Sequence, residues 1–217
     1  MTTSKPLTLL ILGGTGLVGG QLVEAALQHP QVETVVAPTR RPLRARAGLL
    51  NPQVDYAHLP EQALWWRTDA VLCALGTTLK QAGSQAAFRE VDYHYVLAAA
   101  RLAQQAGTPT FVLNSSIGAK IDARSFYLRV KAETEQDLER LGFRSLSIVR
   151  PSLLDGGERP DARPAEAASL WLARRLKPVI PARYRAVSTQ RVAECMLAQA
   201  LASRPGIHIV ESDAIDN

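Results

Sequence analysis

The stretch Leu10-Ile11-Leu12-Gly13-Gly14-Thr15-Gly16-Leu17-Val18-Gly19-Gly20 decides how the rest of the chain is read. Just before and into it, Leu7–Leu12 is an apolar run of the kind found in strands covered on both faces. Leu17–Gln28 then puts Leu17, Val18, Leu22, Ala25, Ala26 and Leu27 near helical spacing. Gly13, Gly16 and Gly19 stand three apart across the join. The first permits a tight turn, the second lets backbone approach a pyrophosphate, and the third lets helix and strand pack closely. The start of the helix offers unpaired N–H groups and the positive end of its dipole to phosphates. A glycine-rich match is weak alone and gains weight from this strand–turn–helix context. A kinase-type phosphate loop needs Gly-Lys-Ser/Thr, which is absent.

Outward from this turn, short apolar runs alternate with helical stretches. Strands are expected at Thr34–Ala37, Val54–Ala57, Ala70–Leu75, Thr110–Leu113, Leu146–Val149 and Ile207–Val210. Helices are expected at Ala86–Ala106, stopped by Gly107 and Pro109, and at Ser125–Leu141, with a last one capped by Ser188 and running to about Ala202. Trp65-Trp66 reads as part of a short helix packed on the sheet. Alternation of this kind predicts an α/β, three-layer Rossmann fold. Its doubly wound, mostly parallel sheet has about seven strands and carries helices on both faces. Residues 155–187, rich in Gly and Pro, read as a short substrate or lid segment near the C-terminus of one domain spanning 1–217.

A dinucleotide fold usually carries an acidic residue about 20 positions after the glycines, to hold the ribose 2′-OH. Here the second strand ends in Thr39-Arg40-Arg41, followed by Arg44 and Arg46. A guanidinium fork there suits a 2′-phosphate, so NADP(H) is expected ahead of NAD(H). Further on, Tyr127 and Lys131 are four apart on the predicted helix 125–141 and share one face. Asn114-Ser115-Ser116 ends a strand, where ligands sit in an open parallel sheet. A Tyr–Lys pair at this spacing is common by chance, and its position beside a strand-end serine gives it weight. A phenol is a poor base near neutral pH, and a neighbouring ammonium favours the phenolate. Ser116 would hydrogen-bond the substrate oxygen, while hydride chemistry belongs to the cofactor.

Composition narrows the alternatives. Hydrophobic residues make up 47% of the 217 and charged residues 21%, which argues against a disordered, collagen-like or coiled-coil chain. No apolar run approaches the roughly 20 residues of a membrane span, and neither a signal peptide nor membrane attachment is expected. The net charge of +5 comes from 25 basic against 20 acidic residues and reads as a solvated surface; nucleic-acid binding ranks last. Cys73 and Cys195 make no metal or redox spacing, His29, His94 and His208 are isolated, His58 reads as a loop residue, no metal is expected, and the cytoplasm is the expected compartment.

These motifs resemble the atypical short-chain dehydrogenase/reductases, in the group around the Tat-interacting-protein oxidoreductases and the NmrA-like proteins. The likeness runs through ILGGTGLVG at 11–19, TRRP at 39–42, LCALGTT at 72–78, VDYHYVLAAARLAQQAG at 91–107, NSSIGA at 114–119, YLRVK at 127–131 and VRPSLL at 149–154. The resemblance implies that Gly13, Thr15, Gly16, Leu17 and Val18 surround the pyrophosphate and that Arg40 and Arg41 meet the 2′-phosphate. It implies that Leu75, Gly76 and Thr77 line the middle of the cofactor and that Pro151 and Leu153 lie by the carboxamide. It implies a Ser116, Tyr127 and Lys131 trio acting on a small carbonyl or alcohol whose identity is unread. Ser116 is preferred to Ser115 because the active serine is normally the last before the turn. NmrA-like relatives supply a rival, an NADP(H)-sensing protein without turnover, and the resemblance leaves room for a protein partner or a homodimer. Two departures stand out. The stretch Tyr56-Ala57-His58-Leu59 offers no carboxylate where many members have an Asp near the adenine. Val91-Asp92 replaces a helix Asn, and Asp92 reads as an ordinary polar helix residue.

Overall fold

Leu9, Leu10, Ile11 and Leu12 all have zero exposure, as a strand sandwiched between two cores requires. The computed structural model describes residues 5–155 and 181–215. In chain order the elements begin with β1 (Leu7–Leu12), α1 (Leu17–Gln28), β2 (Val32–Val36), β3 (Leu49–Leu50) and β4 (Ala70–Cys73). Next come α2 (Leu79–Ala82), α3 (Gln85–Arg89), a π-helical turn (Glu90–Tyr95), α4 (Val96–Gln105), β5 (Thr110–Asn114) and α5 (Phe126–Arg140). Then follow β6 (Ser145–Arg150), β7 (Leu154–Asp155), β8 (Val187–Ser188), α6 (Thr189–Ala202), β9 (Gly206–Glu211) and α7 (Ser212–Ile215).

The main sheet has seven strands in the order β3-β2-β1-β4-β5-β6-β9, every pair parallel. The two sides of β1 feed different cores. Leu9 and Ile11 join Val18, Leu22 and Ala26 of α1 and Val192, Met196 and Leu197 of α6. Leu10 and Leu12 join Val96, Leu97 and Ala100 of α4 and Leu138 of α5. This is the expected three-layer, doubly wound Rossmann fold. The chain leaves β1 towards β2 on one side and reaches β4 on the other, so a crevice opens at the carboxyl ends of β1 and β4.

Two local expectations need correction. The third strand is Leu49–Leu50, paired with Val35 and Val36, and not Val54–Ala57. Asp55 turns the chain instead: its Oδ1 accepts from the Ala57 N–H at 3.0 Å, while the Tyr56 hydroxyl donates to the Pro38 carbonyl at 2.9 Å. The expected helix 86–106 is interrupted by a π-helical turn at Glu90–Tyr95, which contains the buried Asp92 described below. Other details follow the reading. Trp66 is buried in a short 3₁₀ turn, with Nε1 donating to the Pro60 carbonyl at 2.8 Å. Of the segment 155–187, residues 156–180, including a helical stretch expected near 165–176, lie outside the described residues. Its two flanks pair as the β7–β8 ladder.

Ser188 caps α6, its Oγ accepting from the Arg191 N–H at 3.2 Å. Ser188→Ala is expected to cost about 1 kcal/mol. For a chain of this size that is roughly 2–4 °C in the thermal midpoint, readable by calorimetry.

Candidate functional site

The glycine turn is built by contacts that leave no room for side chains. Gly13 has φ +83°, and a methyl there would stand 2.6 Å from the Ala74 carbonyl oxygen. A methyl on Gly19 would stand 2.0 Å from the Gly13 oxygen, so α1 is drawn against the end of β1. The Gly16 N–H donates to the Gly13 carbonyl at 2.9 Å, and Gly16 caps α1 with no side-chain acceptor, leaving first-turn N–H groups without a side-chain partner. A cavity of about 490 Å³ opens beside this turn. Its walls are Gly13, Thr15 and Gly16 after β1, Thr39 and Arg40 after β2, Ala74 to Thr77 after β4, and Asp55, Tyr56 and Tyr95.

Most of the expected cofactor residues meet here. Gly13, Thr15, Gly16, Arg40, Leu75, Gly76 and Thr77 all line the cavity. Val18 is instead buried in the core, and Leu17 is 43% exposed at the helix start. Arg41 is exposed, and its carbonyl is held by Thr39 Oγ1 at 2.6 Å. Arg44 and Arg46 line a separate groove of about 600 Å³ against α1, where Arg46 is paired with Glu24. Pro151 is buried beside the serine turn, accepting from the Ile117 N–H at 2.9 Å, and Leu153 is 62% exposed. Asp55, passed over in the sequence, supplies a carboxylate to the cavity wall. The Ala57 N–H, then His58, hold its carboxyl below the usual range, with Arg40 adding to the effect.

The trio lies along α5 and the end of β5. Ser115 is buried, and its Oγ donates to Glu135 Oε1. Glu135 is itself clamped by Arg150, with Nε at 3.1 Å and Nη2 at 2.6 Å, and Arg150 Nη1 reaches Glu211 at 3.0 Å. Ser115 is thus committed to a structural network tying β5, α5, β6 and β9 together. Ser116 is half-buried; its carbonyl accepts from the Ala119 N–H at 3.2 Å, and its Oγ makes a long 3.4 Å contact with the Ile117 carbonyl. Lys131 Nζ stands 5.9 Å from the Tyr127 ring centre, and Phe88 packs on the same ring at 5.5 Å.

Lys131 is buried and forms an ion pair with Asp92 Oδ1 at 2.9 Å. Asp92 is 1% exposed, and its Oδ2 accepts from the Thr77 N–H at 2.8 Å. A methyl on Gly76 would stand 3.0 Å from Asp92 Oδ1 and 3.6 Å from Lys131 Nζ, so the pair sits directly behind the cavity wall. Burial works to lower the Lys131 pKa, but the Asp92 carboxylate and Tyr127 outweigh it and hold the ammonium above its usual value. Asp92 is therefore no ordinary polar helix residue. It lies within the π-helical turn, and such turns recur at functional sites. The sequence does carry a signal for this: Phe88, Asp92 and Val96 share one helix face, and both neighbours are buried. Cys73, at the end of β4, is pushed up to about 12 by burial, so its thiol stays protonated.

No family model matches the chain. Among curated proteins, FMP52, mitochondrial, of Debaryomyces hansenii is 37% identical over 155 residues, 69% of this chain and 68% of that protein. HTATIP2 of Rattus norvegicus is 36% identical over 179 residues, 80% of this chain and 72% of that protein. Among solved structures, a short chain dehydrogenase from Burkholderia cenocepacia in complex with NADP superposes with a TM-score of 0.69 at 16% identity, covering 98% of this chain and 91% of that one. MoeE5 in complex with UDP-glucose and NAD gives 0.70 at 18% identity, covering 96% and 79%. The cytoplasmic expectation is corrected by these relatives, since the FMP52 proteins of D. hansenii and Candida albicans are both named mitochondrial. Two unpaired thiols fit any reducing compartment and do not choose among them. The glycine turn, the parallel sheet and the two sequence matches converge: the chain belongs to the HTATIP2 and FMP52 family of atypical short-chain dehydrogenase/reductases.

Proposed function

We propose that the protein is an NADP(H)-dependent oxidoreductase acting on a small carbonyl/alcohol pair through Ser116, Tyr127 and Lys131. The observation that carries this reading is the buried Lys131 ammonium, which lies behind Gly76 of the cavity wall and 5.9 Å from the Tyr127 ring. The cavity fits a dinucleotide: Gly13 and Gly19 leave the backbone bare, α1 begins without a side-chain cap, and Arg40 supplies a cation at the wall. The bound nicotinamide would supply the hydride chemistry. The protein's own part is proton handling and orientation. Ser116 Oγ donates to the substrate oxygen. Tyr127 Oη gives or takes that oxygen's proton. Lys131, fixed by Asp92, keeps a positive charge beside the phenol.

A second reading, a cofactor-sensing protein without turnover, draws on Asp92 as well. Its carboxylate compensates the charge of Lys131, on which proton transfer at Tyr127 depends. Titration calorimetry with NADPH and NADH tests the cofactor first. Arg40→Ala with Arg41→Ala is expected to weaken NADPH by about 10–100-fold while leaving NADH nearly unchanged. Turnover of a panel of small carbonyls then separates the two readings. Tyr127→Phe is expected to slow it by roughly 10²–10⁴-fold with nucleotide affinity intact. Tight nucleotide binding with no turnover across the panel would favour the sensor.

A further inference from the structure

We infer that Asn51, which lies outside the cavity, is a positioning residue for cofactor choice. It holds the loop that presents Arg40 and thereby sets the preference for a 2′-phosphorylated dinucleotide. The inference rests on the NADP(H) reading above. Asn51 directly follows β3, and besides accepting from Gln53 Nε2 at 3.2 Å its amide bonds one short stretch of chain. Its Oδ1 accepts from the Leu43 N–H at 2.7 Å, and its Nδ2 donates to the Ala37 carbonyl and to Thr39 Oγ1, the latter at 2.8 Å. Thr39, 3% exposed, passes the constraint on, its Oγ1 donating to the Arg41 carbonyl at 2.6 Å. Backbone bonds complete the clamp: the Thr39 N–H reaches the Pro52 carbonyl at 3.1 Å, and the Val54 N–H reaches the Thr39 carbonyl at 3.0 Å.

One side chain therefore ties both ends of the Arg40-Arg41-Pro42 loop to the end of β2. Within this basic stretch, Arg40 is delivered to the cavity wall, while Arg44 and Arg46 go to the other groove. Arginine has a long stem with many rotamers. Its phosphate contact gains most when the backbone beneath it is already fixed, because less order is lost on binding. NADH lacks the 2′-phosphate and leaves this contact unused. The signature of Asn51 is thus a change in the NADPH-to-NADH ratio, which a general loss of stability would not produce.

The test is titration calorimetry of the full chain with NADPH and NADH, in wild type, Asn51→Ala, Thr39→Val and Thr39→Ser. Asn51→Ala and Thr39→Val are expected to weaken NADPH about tenfold and NADH by less than about twofold. Thr39→Ser keeps the hydroxyl and should keep the wild-type ratio. Adding Arg40→Ala to Asn51→Ala should lower the ratio little further, since both act through one contact. If Asn51→Ala does not fold, Asn51→Ser, whose short side chain cannot span from the Leu43 N–H to the Ala37 carbonyl, carries the same comparison. A folded Asn51→Ala that keeps the wild-type preference, or loses both nucleotides equally, overturns the role of Asn51 and leaves the NADP(H) reading standing. A wild type that binds both nucleotides equally overturns the NADP(H) reading, and the role of Asn51 with it.

Discussion

Asp92→Asn is expected to lower the thermal midpoint by roughly 6–20 °C, a larger loss than any surface change should cause. The substitution keeps an oxygen for the Thr77 N–H but strips the charge facing Lys131. Lys131 is then a buried ammonium without its carboxylate. Breaking a buried pair from one side typically costs about 3–5 kcal/mol, whereas removing both charges is far milder. Asp92→Asn combined with Lys131→Met should therefore recover most of the loss, and calorimetry of the two single variants and the double measures the coupling. Independent, additive losses would sink this account of the pair. Its pH dependence has a definite sign. The lysine pKa is raised in the fold, so its contribution is fully present below the ordinary value of about 10.4 and fades only as pH rises through the raised one.

Gly19→Ala is expected to abolish measurable nucleotide binding, at least a 100-fold loss by calorimetry, while Gly20→Ala is tolerated. The two glycines are neighbours in α1 with opposite surroundings. A methyl at Gly19 would meet the Gly13 oxygen at 2.0 Å and the Gly13 carbonyl carbon at 2.6 Å. That oxygen belongs to the turn itself, so relief requires the helix to lift away from β1 and the cradle to open. A methyl at Gly20 finds the Gly14 oxygen at 3.8 Å, an ordinary contact. Alanine there gains up to about 1 kcal/mol of helix propensity over glycine. Nucleotide binding in Gly19→Ala within threefold of wild type would mean that the turn is softer than these contacts imply.

The contrast shows which parts of the molecule the sequence made legible. The β1–turn–α1 unit is local, and each residue in it answers to its immediate neighbours. Of Thr39-Arg40-Arg41, Thr39 and Arg40 line the cavity, whereas Arg41 is exposed outside it. Asp92 reads as an ordinary polar residue in the sequence because its partners, Thr77 and Lys131, stand elsewhere in the sequence and meet it only in the fold. Asp55 was missed for a related reason. Val54 and Tyr56 bury like strand residues, yet the carboxylate between them closes a turn. The roles of Ser115 and Ser116 diverge through Glu135 and Arg150, and no property of the Ser-Ser dipeptide announces which one the ion pair will take.

The β7–β8 ladder has a consequence for how such a chain can diversify. Leu154 stands beside Val187 and Asp155 beside Ser188, so the chain that leaves the main sheet returns beside its point of departure. The entropic cost of closing a loop between fixed, adjacent ends grows only with the logarithm of its length, about 0.6 kcal/mol for each doubling. Residues can be added or removed between those ends at little thermodynamic cost to the seven-stranded sheet. Changes of length between those ends leave the glycine turn and the Asp92–Lys131 pair, which stand on other elements, unaltered.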